Sequence, residues 1–312
     1  MLRRLGELGF VLFGVSVLTF LMIRLIPGDA VEIMLGANSE VTPEKVAELQ
    51  RELGLDQPFV TQYLSWMGDV LRGDFGESLW TGTPVIEEIG QRIWVTAELT
   101  ILGLILAVVL SVPAWCLMAH FRSRWADYVL RVLTIAGVTM PSFWLGAMLL
   151  YAVASVAPAW AVVGWIPFGD DPLGNLSHLV LPVIALALPV LASLARIVRA
   201  GTIEALGQDY VRTARAKGVS EIGVLFHHAL RNALVPFVTS TGIMAGYLFG
   251  GSVIVEQVFA LPGLGRLMVG AIAERNYPLI QGSIMLATAI FVVVSFVIDL
   301  IYAALDPRAR DA

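Results

Sequence analysis

Few side chains in this 312-residue chain could do chemistry, and their spacing argues against catalysis. Its only lysines are Lys45 and Lys217, and neither follows a glycine. A Gly-Lys-Ser or Gly-Lys-Thr loop that cradles nucleotide phosphates is therefore absent. His227 and His228 are followed by Ala229, Leu230 and Arg231, so the His-Glu-x-x-His pattern of a zinc protease is not formed. Gly251-Ser252 and Gly282-Ser283 offer hydroxyls, but no histidine is expected at the same depth. Cys116 stands alone, which excludes an intramolecular disulfide framework and a cysteine metal site. The chain reads as a non-enzyme that binds no cofactor or metal of its own.

Two acids need a separate account because they fall in or beside apolar runs. Glu98 and Asp299 are the candidates for coupling to an ion, as in a secondary carrier or channel. A charge at the bilayer centre costs roughly 2.5–3.5 kcal/mol on insertion scales and less near an interface. The plainer reading, a polar residue buried between helices, is preferred for both.

The elements that position these residues follow from where charge is missing. Hydrophobic residues make up 57% of the chain and charged ones 14%, against about 25% charged in soluble domains. Positions 99–121, 132–169, 172–195, 232–255 and 276–298 carry no Asp, Glu, Lys or Arg. Each gap matches or exceeds the roughly 20 residues a helix needs to cross a bilayer. A sixth run, Leu8 to Ile26, is broken only by Arg24, whose long side chain can reach the interface. A cleaved signal is disfavoured because Pro27, Gly28 and Asp29 follow with no small-residue cleavage site. The expected fold is an all-α integral membrane protein with six spans, near 8–26, 95–119, 130–154, 178–197, 233–255 and 279–304.

Six spans put both termini on one side. Thirteen of the twenty basic residues fall on that side, which the positive-inside rule makes cytoplasmic. Twelve acids lie between Asp29 and Glu88, on the other side. The net charge of −5 therefore averages two oppositely charged faces. Trp94, Trp125, Trp160 and Trp165 sit near span ends, where indole rings anchor.

The external connection, residues 27–92, is too long to be a simple loop. Thr42 as N-cap, Pro43, the apolar positions Val46, Leu49 and Leu53, and Gly54 predict one helix. Phe59, Tyr63, Leu64, Met67, Val70 and Leu71 predict a second, ending at Arg72, Gly73 and Asp74. Both are expected on the outer membrane surface or capping the bundle, as a docking surface or a structural cap.

The internal connection, 196–232, reads RIVRAGTIEALGQDYVRTARAKGVSEIGVLFHHALRN. Leu206, Tyr210 and Ala214 form an i, i+4, i+8 stripe, Arg212 and Arg215 lie on another face, Gly218 stops the helix and Ser220 caps a new one. From Ile222 to Leu234 apolar residues recur with helical period, leading unbroken into the fifth span. A basic loop on anionic lipid is the plain alternative. Alanines and a glycine suit close contact with a protein better.

In the fifth span Gly242, Gly246 and Gly250 recur every four residues, followed by Gly251 and Ser252. They suit close helix packing first and a thin pore wall second. Pro182, Pro189 and Pro236 each remove a helix hydrogen bond and predict bends.

The internal loop resembles the coupling loop of ABC importer permeases, whose pattern is Glu-Ala-Ala, three residues, Gly, nine residues, Ile-x-Leu-Pro. Arg212, Thr213 and Ala214 take the first three places, Gly218 the glycine, and His228, Leu230 and Arg231 the last. Glu, the first Ala, Ile and Pro are replaced, but DYVRTARAKG with HALRNALVP resembles the form found in the dipeptide, oligopeptide and nickel subfamily. The similarity extends to VTPEKVAELQRELGLDQPFVTQYLSW, GDFGESL, LPVIALALP, FGGSVIVEQVFALPGLGRLMVGAI and VIDLIYAALDPRAR, in order along nearly the whole chain. Ser295 departs from an expected Asn in the last span.

The resemblance implies a type I importer permease in a bacterial inner membrane, working by alternating access. It implies a second homologous permease, two cytoplasmic ATPase subunits that bind ATP and Mg, and an extracytoplasmic binding protein. Asp209, Tyr210, Arg212, Thr213, Ala214, Arg215 and Gly218 would couple to the ATPases, and Gly242, Gly246, Gly250 and Ser252 would line the pore or pack helices. The implied layout is 1–26 (tail and first span), 27–92 (external segment), 93–305 (transmembrane core) and 306–312 (tail). Peptides lead as cargo, with nickel complexes, glutathione, opines and oligosaccharides carried by relatives.

Overall fold

A computed structural model describes residues 2–25, 56–120, 125–157, 160 and 163–305. The chain divides into two units: Met1–Ile93 with Arg266–Val292, and Trp94–Gly265 with Val293–Ala312. The helix predicted over 42–54 lies outside the described residues.

In the first unit, α1 (Leu2–Leu25) and α2 (Phe59–Leu71) meet through aromatic side chains. The Tyr63 ring stands edge-on to Phe20 at 5.4 Å, and its hydroxyl shares a hydrogen bond with the buried Ser16 hydroxyl at 2.8 Å. The second predicted external helix therefore exists, packed along the side of α1. The GDFGESL stretch is tied down by the buried Asn276, whose Nδ2 donates to Ser78 Oγ at 2.8 Å and whose Oδ1 accepts from the Leu79 N–H at 3.2 Å. Trp80 Nε1 donates to the Glu274 carbonyl at 3.0 Å.

The long helices are α3 (Val85–His120), α6 (Pro172–Leu206), α9 (Leu230–Val258) and α11 (Tyr277–Leu305). Each contains a stretch long and apolar enough to cross a bilayer. The helices overrun the predicted spans because polar turns extend them past the apolar stretch. In α6, Asp171 caps the start by accepting from the Gly174 N–H at 3.0 Å, with Pro172 at the first position.

The third predicted span is corrected. It consists of α4 (Trp125–Thr139) and α5 (Ser142–Val156), bent by 105° at the break. Pro141 cannot donate a helical hydrogen bond and pushes Met140 toward an extended backbone, so the helix ends there. Both halves press on the second unit's core. A Cβ at Gly137 would stand 3.0 Å from Ala192, and one at Gly146 2.9 Å from Phe259. In α1 the apolar stretch Gly6–Met22 spans 17 residues, the short end of the roughly 17–25 needed. The described residues thus hold four spanning helices, or five if the bent pair is one span.

The core of the second unit is built on α6, whose Leu179, Leu186, Val190, Leu194 and Val198 pack with Val95, Leu99, Leu248 and Phe259. At its edge Glu98 accepts from Trp165 Nε1 and Asn175 Nδ2, each at 3.2 Å. Trp165 is therefore a buried-side partner of a carboxylate as well as a span-end indole, and Glu98 is engaged between elements. The side chain of Asp299 lies outside the description.

Candidate functional site

Between α6 and α9 the chain makes a small hairpin, and its construction is local. The helix α7 (Asp209–Ala216) carries an acid in its first turn and Arg215 in its last, matching the helix dipole. Val211 and Ala214 are buried against Val224 and Leu206. This corrects the predicted stripe: Val211 and Ala214, three apart, form the inward face, and Tyr210 lies outside it, 41% exposed. On a two-turn helix, i+3 and i+4 spacings both define a face, and packing chose the first.

Gly218 ends α7 as expected. It sits at φ +83°, a left-handed conformation that costs a residue with a Cβ about 1–2 kcal/mol. The Val219 N–H returns to the Ala214 carbonyl at 3.2 Å and the Gly218 N–H to Arg215 at 3.0 Å, closing a Schellman turn. Ser220 then caps the next turn, α8 (Glu221–Gly223), accepting from the Gly223 N–H at 3.2 Å. Arg215 spans the turn to Glu221 with two hydrogen bonds. That bond holds the Glu221 carboxyl below its ordinary pKa and raises that of Arg215.

The predicted unbroken α-helix from Ile222 onward is corrected. Val224–Ala229 form a π-helical turn, π1, before α9 begins. Its two end residues, Val224 and Ala229, are fully buried, so tertiary anchoring sets the backbone spacing between them. π1 packs on both α6 and α7.

The outer face presents Asp209 and Arg212, paired at 3.5 Å with side chains 96% and 79% exposed, and Thr213, whose hydroxyl turns back to the Asp209 carbonyl at 3.1 Å. Asp209, Tyr210, Arg212, Thr213, Ala214, Arg215 and Gly218 are thus brought together on one compact projection. Chemically the surface can dock a protein through a mixed polar and aromatic face.

The members of the second predicted group, all on α9, differ in their surroundings. A Cβ at Gly242 would collide with Ile298, Gly246 is half-buried, and among the described residues nothing lies within 4 Å of one at Gly250. Ser252 is buried and donates to the Phe249 carbonyl at 2.7 Å. Packing explains Gly242 and not Gly250. Among the described residues no three His, Cys, Asp or Glu side chains are placed to hold a metal.

Sequence reasoning missed one buried group. Glu256, 0% exposed, accepts from the Thr96 hydroxyl at 2.6 Å. The only sequence signal was its position at the end of a charge-free run, just before Pro262-Gly263-Leu264-Gly265.

Comparison with known proteins follows this geometry. Residues 100–311 match the family described as binding-protein-dependent transport system inner membrane component, and residues 1–100 match the N-terminal family of the same membrane components. The chain is 41% identical over 310 residues to a putative peptide transport system permease protein of Brucella abortus (strain 2308), covering 99% of this chain and 98% of that one. It is 41% identical over 311 residues to the glutathione transport system permease protein GsiC of Escherichia coli (strain K12), with the same coverage of 99% and 98%. In fold it resembles the inward-facing MetNI methionine ABC transporter, with TM-score 0.54, 16% identity, and coverage of 71% of this chain and 97% of that one. An amino acid ABC transporter crystallised with histidines gives TM-score 0.51 at 17% identity, covering 71% of this chain and 94% of that one.

Proposed function

The chain belongs to the family of binding-protein-dependent transport system inner membrane components, and from that premise we propose that it forms half of the translocation pathway of an ATP-driven importer for peptides or a small peptide-like solute such as glutathione. The observation that carries this reading is the hairpin from Asp209 to Gly223. It is a short helix with its small inner face buried and its polar outer face exposed, joined directly to two long helices. Movement imposed on α7 reaches α6 through Leu206 and α9 through Val224 and π1.

Two cytoplasmic ATPase subunits, which bind ATP and Mg, would dock on this projection. A second homologous permease completes the path, and an extracytoplasmic binding protein delivers the solute. Closure of the ATPases draws the hairpins together, tilts α6 and α9 and opens the path outward; hydrolysis resets it. Asp209, Tyr210, Arg212 and Thr213 supply the docking surface, Ala214 and Gly218 its shape, and Arg215 its rigidity. Gly242, Gly246 and Ser252 serve helix packing, and Gly250 is left for a neighbouring chain or the pore.

The topology that accompanies this reading has six spans, with α1 first and the bent α4–α5 pair third, and both termini cytoplasmic. Residues 1–26, 27–92, 93–305 and 306–312 then form tail with first span, external segment, core with coupling loop 196–232, and second tail. The charge asymmetry supports that orientation. The engagement of Glu98 by Trp165 and Asn175 favours this mechanism over ion coupling through that acid.

Photo-crosslinking tests the docking assignment. A benzoylphenylalanine replacing Tyr210 or Arg212 in the assembled complex is expected to capture an ATPase subunit, and one replacing Trp80 in the external segment is not. Capture of an ATPase from position 80 and from neither 210 nor 212 would overturn the assignment.

A further inference from the structure

Glu256 lies at the opposite end of α9 from the hairpin, a helix of 29 residues and so about 43 Å long. A buried carboxylate needs strong partners to offset the loss of water. Here α3 and the turn that follows α9 converge on it. Thr96 of α3, itself 1% exposed, donates its hydroxyl to Glu256 Oε1 at 2.6 Å and accepts the N–H of Leu264 at 2.8 Å. Backbone amide, hydroxyl and carboxylate thus form one directed chain of hydrogen bonds across elements distant in sequence.

The turn between α9 and α10 (Leu264–Ala273) is shaped around the same carboxylate. A Cβ at Gly263 would collide with it, and one at Gly265 would stand 2.9 Å from Oε2 and 2.6 Å from Val253 Cα. The Leu261 N–H returns to the Glu256 carbonyl at 2.9 Å, and Phe259 and Leu261 are fully buried beside it. An apolar pair of similar volume would pack such a site without the burden of a buried charge. What the polar arrangement adds is a fixed direction and register between α3, α9 and the turn.

We infer that Thr96 and Glu256 are positioning residues for transport, clasping α3, the end of α9 and the 261–265 turn into one body. With one end of α9 driven by the hairpin and the other held by the clasp, displacement of α7 tilts α9 about Glu256. Without the clasp the same displacement is lost as slippage between helices. The inference rests on the reading of the chain as an importer permease, and deepens it by naming the fixed point of the lever.

The test uses the complete transporter, with its partner permease, ATPases and binding protein, in proteoliposomes supplied with Mg-ATP. Hydrolysis is measured per assembled complex, without binding protein and with binding protein loaded with glutathione or trialanine. Thr96→Val, nearly isosteric, is expected to leave unstimulated hydrolysis within about twofold and to cut the stimulated increment by about tenfold or more, the scale of loss that follows misplacement of a coupled group. Gly263→Ala should do the same, and Thr96→Ser, which retains the hydroxyl, should keep the increment within about twofold. If Thr96→Val accumulates poorly, Thr96→Ala is read in its place per assembled complex. A normal increment in the hydroxyl-free variants, or equal loss in Thr96→Ser, overturns the inference. A wild-type complex with no increment overturns the proposed peptide-importer reading on which it stands, an outcome distinguishable because no substitution is involved.

Discussion

Arg215 and Glu221 face each other across the Gly218 turn, Nε donating to Oε1 at 2.8 Å and Nη2 to Oε2 at 3.1 Å. Two parallel bonds fix orientation as well as distance, so α7 and α8 move as one tip. Because the pair is exposed, it adds little to global stability. Arg215→Ala is therefore expected to leave the melting temperature of the complex unchanged while lowering the photo-crosslink yield from position 210. A large drop in melting temperature with unchanged crosslinking would contradict a role in shaping the tip.

The same pair sets the pH response of the tip. Arg215 holds the Glu221 carboxyl below its ordinary value, so the contribution is complete above the ordinary carboxylate pKa of about 4.3 and disappears as pH falls through the lowered one. Hydrogen exchange of residues 215–221, corrected for intrinsic rates, should be constant from about pH 7 to 5 and rise only below about pH 4. Opening of the tip near pH 6 would implicate a group other than this pair.

Gly218 tests backbone geometry apart from contacts, since nothing among the described residues lies within 4 Å of a Cβ built there. Gly218→Ala should destabilise the tip by about 1–2 kcal/mol through its φ of +83° alone, and Gly218→Asn by less. Gly218→Pro forbids the conformation and removes the N–H that bonds to Arg215, so it should uncouple uptake from hydrolysis in an inserted, assembled protein. Equal behaviour of the Ala and Pro variants would show that the left-handed turn is dispensable.

Two glycines of the fifth span should respond in opposite ways. Gly242→Ala meets Ile298 and should lower stability by about 1–3 kcal/mol, with recovery in the double variant carrying Ile298→Ala. Gly250→Ala meets nothing among the described residues and should be neutral, or stabilising by up to about 1 kcal/mol from helix propensity. Strong loss of assembly in Gly250→Ala would place another chain against that position.

What the sequence revealed is what is determined locally or by the solvent. The charge-free gaps located the long helices because a bilayer imposes composition directly, and Gly218 and Ser220 marked the hairpin because their roles depend on neighbouring backbone alone. Pro141 was visible within its apolar run, but a kink and a 105° break carry the same local signature. The π turn was hidden because its spacing answers to the burial of Val224 and Ala229 against other helices. Thr96 and Glu256 are 160 residues apart, and no periodicity connects them.

Coupling through the 209–223 hairpin links hydrolysis by the cytoplasmic ATPases to movement of solute through this chain. The most direct measurement is the ratio of solute imported to ATP hydrolysed, in proteoliposomes holding the complete transporter, for the wild type and for Ala214→Arg. Ala214 is 7% exposed against Val211 and Val224, so an arginine there must displace α7 from its seat. Coupling through the hairpin requires uptake by the wild type that depends on both ATP and binding protein, and a ratio near zero for the variant while the complex remains inserted and assembled. Uptake by the isolated chain down an ion gradient, or an unchanged ratio in Ala214→Arg, would contradict it.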